Sequence, residues 1–350
     1  MGSRGFVSSI RTAFLVLFFP VLFFLVLELF LRFAWIQPPP NFSRPLFTEQ
    51  NGHKILIQKA RGTNYGREFS VEVAGNQYGY REGTWPKEPV SGKVVWLFGD
   101  SFAFGWGVEA RDTFAAKLNE QGLAVYDLGI PGDGWKEYRY RLEWAKEHLL
   151  KPDLILVVTY DNDFAHSQNT IFKNNLAKSV FDLRRAMITS QTGLLIKRIC
   201  YHLGLWRALA PWLGSEMNVR AAYGRDFSVH QKNYLDSFPG QMKLAEMEQF
   251  VEAAGMVSQN RWIVRITPGY CNGLSWQEEA VREVGKPKDI YDFNRLDQEL
   301  ARICKKHSVQ FFKFSPKTDS ETQDYYFRYD LHLTSNGHKA LADELQKLKL

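Results

Sequence analysis

A succession of short apolar runs separated by helix-patterned segments restricts this chain more than any other feature. Val94-Val95-Trp96-Leu97-Phe98 and Leu154-Ile155-Leu156-Val157-Val158 carry no polar residue, and Ala124-Val125-Tyr126-Asp127-Leu128 carries one. A strand that is apolar on both faces must be covered on both, which suits a parallel sheet between helices and not a sheet with one wet face. The intervening segments read as helices. Asp112–Gln121 places Phe114, Ala115 and Leu118 on one side, with Asp112 as its cap and Gly122 as its stop, and Lys136–Leu150 runs to just before Pro152. The rhythm returns with a helix over 241–254, a strand Trp262–Ile266, a helix Tyr291–His307 and a strand Val309–Phe314. A closing helix runs from Ser335 or Asn336 to Leu348. This alternation predicts one α/β domain over residues 93–350 with helices on both faces of a parallel sheet. Residues of about 165–240 lack strand signals, and Leu194–Leu213 is strongly apolar. They read as a mostly helical insertion over the carboxyl edge of the sheet.

The N-terminus bears on compartment. Ala13–Leu27 has no charged residue, and apolar character continues to Ile36. A helix over 13–36 would rise roughly 36 Å, against about 30 Å of bilayer hydrocarbon. Arg4 and Arg11 precede it, so residues 1–12 are expected in the cytoplasm as a short tail. A cleaved signal peptide is the competing reading. It would have an unusually long apolar region and a poor cleavage site at Phe33-Ala34-Trp35, so an uncleaved single-pass anchor in the plasma (inner) membrane is favoured. The rest of the chain then lies in the periplasm or outside the cell. Pro38-Pro39-Pro40 forms a stiff spacer, and residues 37–92 as a whole read as that spacer plus a small β-rich lead-in, with a strand over Phe69–Val73.

Composition removes several classes. The formal charge of +6 over 350 residues is too thin an excess to indicate a nucleic-acid partner. Cys200, Cys271 and Cys304 stand far apart without a CxxC pair or a histidine cluster, so neither a structural metal nor a disulfide scaffold is expected. No metal or other cofactor is anticipated.

In open α/β sheets the ligand crevice lies beyond the carboxyl ends of the strands. Polar clusters fall at three such ends: Gly99-Asp100-Ser101, Gly132-Asp133 and Tyr160-Asp161-Asn162-Asp163. A fourth, Tyr329-Asp330-Leu331-His332-Leu333-Thr334, precedes the last helix. Gly-Asp-Ser alone is an ordinary turn triplet. Together the four supply the parts of acyl transfer. Ser101 would be the nucleophile, His332 its base and Asp330 the carboxylate that orients the imidazole. The oxyanion would be met by the Ser101 and Gly132 backbone N–H groups and the Asn162 amide, with Gly129 and Gly134 as rivals for the glycine role.

These four blocks resemble those of the SGNH (GDSL-type) hydrolase superfamily. Gly99-Asp100-Ser101 is similar to its nucleophile turn, Gly132 to its oxyanion glycine, Asn162-Asp163 to its oxyanion asparagine block, and Asp330 with His332 to its terminal pair. Asn76-Gln77-Tyr78-Gly79-Tyr80-Arg81 looks like a lead-in of membrane-anchored bacterial members. The resemblance implies a three-layer αβα, flavodoxin-like fold, no obligatory metal, and esterase, lipase or carbohydrate O-acetyl chemistry. Two departures stand out. Tyr160 replaces the family's glycine, which is expected to narrow the pocket. The terminal pair is spaced Asp-x-His instead of the family's commoner Asp-x-x-His, a variant that resembles the polysaccharide O-acetylation branch.

The function expected is therefore an extracytoplasmic serine esterase acting on acyl, chiefly acetyl, esters that are glycan-linked or small. The alternatives are an O-acyltransferase using the same acyl-serine with a polytopic membrane partner, or a silent glycan-binding or assembly protein. Trp206, Trp212 and Tyr223 in the insertion could stack on sugar rings or pack internally. His166 reads as an ordinary loop residue, and His338 as a packing or solvated residue of the last helix.

Overall fold

The computed structural model describes residues 18–30, 42, 45–66, 68–87, 90, 92–165, 227–284 and 287–348. The cytoplasmic tail, the proline spacer, Cys200, His166, and Trp206, Trp212 and Tyr223 with most of the proposed insertion lie outside the described residues.

Five strands form a wholly parallel sheet in the order β6-β5-β7-β8-β9, comprising β5 (Val94–Phe98), β6 (Ala124–Asp127), β7 (Leu154–Thr159), β8 (Arg261–Ile266) and β9 (Gln310–Phe314). Alternate residues of each central strand enter two separate cores. Trp96, Phe98, Ile155 and Val157 face one side, with α4 (Trp135–His148), α5 (Phe238–Gly255) and α7 (Arg295–Lys306). Val95, Leu97, Leu156 and Val158 face the other, with α3 (Phe114–Glu120), α6 (Ser275–Val284) and α9 (Ser335–Lys347). Burial on both faces accounts for the unbroken apolar runs and gives the three layers. Because β6 and β7 flank β5, the chain leaves β5 in opposite directions across the sheet, and a crevice opens at that switch point.

Several elements differ in detail from the sequence expectation. Asp112 does not cap α3. It sits in a 3₁₀ turn, and Thr113 caps the helix by accepting from the Ala116 N–H. Beyond residue 287 the helix starts at Arg295 and not at Tyr291, because Tyr291 is extended after a 3₁₀ turn. Two helices were not anticipated. In α6, Trp276, Ala280 and Val284 make a four-residue-spaced buried stripe that is too short to signal itself in sequence. In α8 (Asp319–Tyr325) most residues are polar, and the Thr318 cap and buried Thr322 hold it.

Before the sheet lie two antiparallel hairpins, β1 (Phe47–Gln50) with β2 (His53–Leu56), and β3 (Arg61–Tyr65) with β4 (Ser70–Ala74). Asn51 and Gly52 both have positive φ, as a two-residue hairpin turn requires. At the N-terminus, residues 18–30 are helical (α1), and Phe19, Phe23, Leu29 and Phe30 expose their side chains. Among the described residues no helix is long and apolar enough to cross a membrane. Residues 13–17 and 31–36 of the predicted span lie outside the described residues.

Candidate active site

Ser101 opens α2 (Ser101–Phe104), a single helical turn directly after β5. Asp100 caps that turn by accepting from the Phe102 N–H at 2.9 Å, and Gly105 ends it in the left-handed region, φ 75°. A side chain at Gly105 would collide with Thr113, so the tight stop needs glycine. Ser101 is thereby fixed at the carboxyl end of β5, beside the crevice.

The terminal loop reaches the same point. Tyr326 and Leu333 form an isolated antiparallel bridge, the Phe327 N–H donates to His332 O, and Leu331 takes a positive φ of 70° at the tip. His332 Nε2 lies 2.7 Å from Ser101 Oγ, and His332 Nδ1 lies 2.5 Å from Asp330 Oδ1. An Nδ1–H directed at the carboxylate leaves Nε2 as acceptor for the serine O–H, which is the tautomer a general base needs. The Asp-x-His spacing works here because Leu331, turned left-handed and buried, lets its two neighbours face each other.

The other predicted residues gather around this row. Asn162 Nδ2 donates to Asp100 Oδ2 at 2.6 Å, and Ser101 Oγ lies 3.3 Å from the same oxygen, so the amide is held next to the Ser101 hydroxyl. Gly132 has φ 85° in a turn that begins Ile130-Pro131 and is closed by the Asp133 N–H on Ile130 O. Proline followed by a left-handed glycine is a type II turn. The rival glycines have other tasks. A Cβ on Gly129 would come within 2.7 Å of the Phe104 nitrogen, and Gly134 is the N-cap of α4.

Buried carboxylates underpin the loops. Asp163 accepts from the Thr159 hydroxyl, the Tyr160 N–H and the Tyr138 hydroxyl. Burial, aided by the nearby Asp100 charge, pushes its carboxyl well above the ordinary range. Asp161 is also buried, and burial alone would push it up. Arg265, His230 and Tyr270 together outweigh that effect and hold the carboxyl below its ordinary value. By distance, Asp161, His230 and Cys271 could ligate a metal ion, since their ligand atoms lie within 4.8 Å of one another. Their chemistry fits that role poorly: the Arg265 guanidinium is already paired with Asp161, and burial pushes the Cys271 thiol well up, away from the thiolate a metal needs. Among the described residues, Cys271 and Cys304 are free, buried thiols.

Sequence reasoning missed two aromatic neighbours. Phe102 lies between Tyr160 and His332, with ring centroids 4.3 and 4.8 Å away, and Trp106 lies 6.0 Å from His332. Tyr160 is therefore a buried support stacked on Phe102. The GDSFAFGW run contained the signal, in that aromatic residues at positions 102 and 106 follow the serine on one short turn. His338 is buried on Phe114, where burial lowers it to about 3, so it packs and is not solvated.

No protein-family model matches the chain, and no curated protein matches it. Solved structures with a similar trace include a lipolytic protein of the G-D-S-L family from Veillonella parvula (8% identity, TM-score 0.41, covering 73% of this chain and 97% of that one). An extracellular lipase from Streptomyces rimosus gives 12% identity and a TM-score of 0.42, covering 73% and 99%. A catalytic mutant of an acetylxylan esterase from Geobacillus stearothermophilus gives 14% and 0.35, covering 75% and 95%. These likenesses are distant.

Proposed function

We propose that this chain is a serine esterase of the SGNH type that hydrolyses acyl, chiefly acetyl, esters. One observation carries the reading: the unbroken row Ser101 Oγ–His332 Nε2–His332 Nδ1–Asp330 Oδ1, with separations of 2.7 and 2.5 Å on either side of the ring. Ser101 Oγ attacks the acyl carbonyl as its proton passes to His332 Nε2, and Asp330 stabilises the imidazolium that forms. The oxyanion is met by the Ser101 and Gly132 N–H groups and the Asn162 amide. His332 returns the proton to the leaving alcohol. Water, activated by the same ring, then releases the acid from the acyl-serine.

Residues 13–36 are proposed to anchor the protein in the membrane, with the α/β domain outside the cytoplasm. The apolar side chains exposed along residues 18–30 support this placement. A glycan-linked ester is the proposed substrate.

The test is turnover of 4-nitrophenyl acetate and labelling by a fluorophosphonate, with and without an oligosaccharide acceptor. Ser101→Ala is expected to abolish both while the circular dichroism spectrum is unchanged, and retained turnover in that variant rejects the assignment. Acetylation of the acceptor in excess of hydrolysis would select O-acyl transfer. Absence of both turnover and labelling would select the silent binding protein.

A further inference from the structure

Side chains from the lead-in reach the backbone of three of the four loops that build the Ser101 site. Lys54 Nζ of β2 donates to Pro131 O at 2.8 Å, beside Gly132. Arg81 is buried and donates to Phe104 O at 2.7 Å and to Gly105 O and Val108 O at 2.5 Å, the carbonyls that follow the nucleophile turn. Glu68, in the β3–β4 loop, accepts from three consecutive backbone N–H groups: Arg328 at 2.7 Å, Tyr329 at 2.8 Å and Asp330 at 3.0 Å. Phe69 packs its ring 5.2 Å from that of Phe327, at the base of the same loop.

Three successive N–H groups directed at one acceptor form an anion-holding concavity, and a carboxylate in it makes hydrogen bonds stronger than neutral ones. The loop has reason to need such a hold. Left-handed backbone is unfavourable for a leucine, and at Leu331 that strain falls between the two residues whose side chains must meet. The third N–H that Glu68 binds belongs to Asp330 itself.

We infer that Glu68 is a positioning residue for the Asp330–His332 pair. It fixes the backbone of residues 328–330 so that the Asp330 carboxylate faces His332 Nδ1. The catalytic consequence rests on the esterase reading above, whereas the backbone hold does not. Glu68, Arg81 and Lys54 together make the lead-in a scaffold for the base loop, the nucleophile turn and the glycine turn, so the α/β domain and the hairpins before it work as one unit.

The experiment compares the full chain with Glu68→Ala, Glu68→Gln and the control Arg61→Ala. Arg61 binds Glu72 and Glu82 on the exposed side of the same hairpin. Two quantities are read: the kinetics of 4-nitrophenyl acetate hydrolysis, and backbone hydrogen exchange over residues 326–333. Glu68→Ala is expected to lower kcat by roughly 10–100-fold with KM within about twofold, because a misplaced base impairs the reaction and not ground-state binding. Exchange in the loop should accelerate. Glu68→Gln, which keeps one acceptor oxygen, should fall between, and Arg61→Ala should behave as the parent chain.

A Glu68→Ala enzyme with kcat within about twofold of the parent, or an equal loss in Arg61→Ala, overturns the inference. If Glu68→Ala does not fold, Glu68→Gln decides by the same criteria. A parent chain that neither turns over nor reacts at Ser101 rejects the esterase reading instead. Exchange then decides the hold by itself, and an unchanged loop overturns it.

Discussion

Replacing Asp330 by asparagine tests the proposed relay at its least protected link. The substitution keeps size and shape and removes the charge that meets His332 Nδ1 at 2.5 Å. In the transition state the ring becomes a cation, and two unit charges about 4 Å apart attract by about 1 kcal/mol in water and about 4 kcal/mol at an effective dielectric near 20. The His332 and Asp330 side chains are 21% and 27% exposed, so solvent screens them in part and the interaction falls between those limits. An expected loss of about 2–3 kcal/mol converts to a fall in kcat/KM of roughly 30–150-fold. This is less than the ~10⁴ lost when the buried aspartate of a serine protease triad is changed in the same way. The assay is steady-state hydrolysis of 4-nitrophenyl acetate, with fluorophosphonate labelling to count competent sites. A loss below about threefold would show Ser101 and His332 acting as a dyad and would refute the reasoning.

Two further outcomes concern stability. Burial pushes Asp127 up to about 7 from its ordinary 3.8 and Asp163 well above the same value. The folded state therefore retains protons that the unfolded chain has already released, so stability is expected to fall as pH rises from about 4 toward 7, by at most about 1.4 kcal/mol per pH unit for each group. Asp161, held low, acts the other way and contributes stability that is lost as pH falls below about 4. Urea midpoints at pH 5 and pH 7 check this: the midpoint should be higher at pH 5, Asp127→Asn should reduce the difference, and an equal or larger difference in that variant would count against it. Arg265→Met removes the cation from the buried Asp161 and should cost about 3–5 kcal/mol in urea unfolding. A cost under about 1 kcal/mol would mean that His230 and Tyr270 suffice to hold the carboxylate.

Much of the sheet was legible along the chain. Val94–Phe98 is apolar throughout and Leu154–Thr159 at every position but Thr159, because both faces of each strand are buried, so the composition of the run reports its place in the sheet. Helix ends were less legible, since Asp112 and Thr113 are both good caps and the 3₁₀ turn before α3 decides between them. α8 has no apolar stripe to signal it, only the Thr318-x-x-Glu321 start pattern, and its stability comes from the Thr318 cap, Thr322 and its neighbours.

The chain by itself also marked out chemically able residues, since Ser101, Gly132, Asn162, Asp330 and His332 fall where strands end or a helix begins. Their meeting is a tertiary fact. A contact between positions 101 and 332 depends on the strand order that opens the crevice and on the Tyr326–Leu333 hairpin that carries the imidazole back to it. Glu68 shows the limit most plainly. One glutamate in a hairpin loop resembles any solvated carboxylate until the fold places three amide groups, more than 250 positions away, around it. Local sequence sets which backbone shapes are affordable, whereas long-range hydrogen bonds are formed between atoms whose proximity no local pattern encodes.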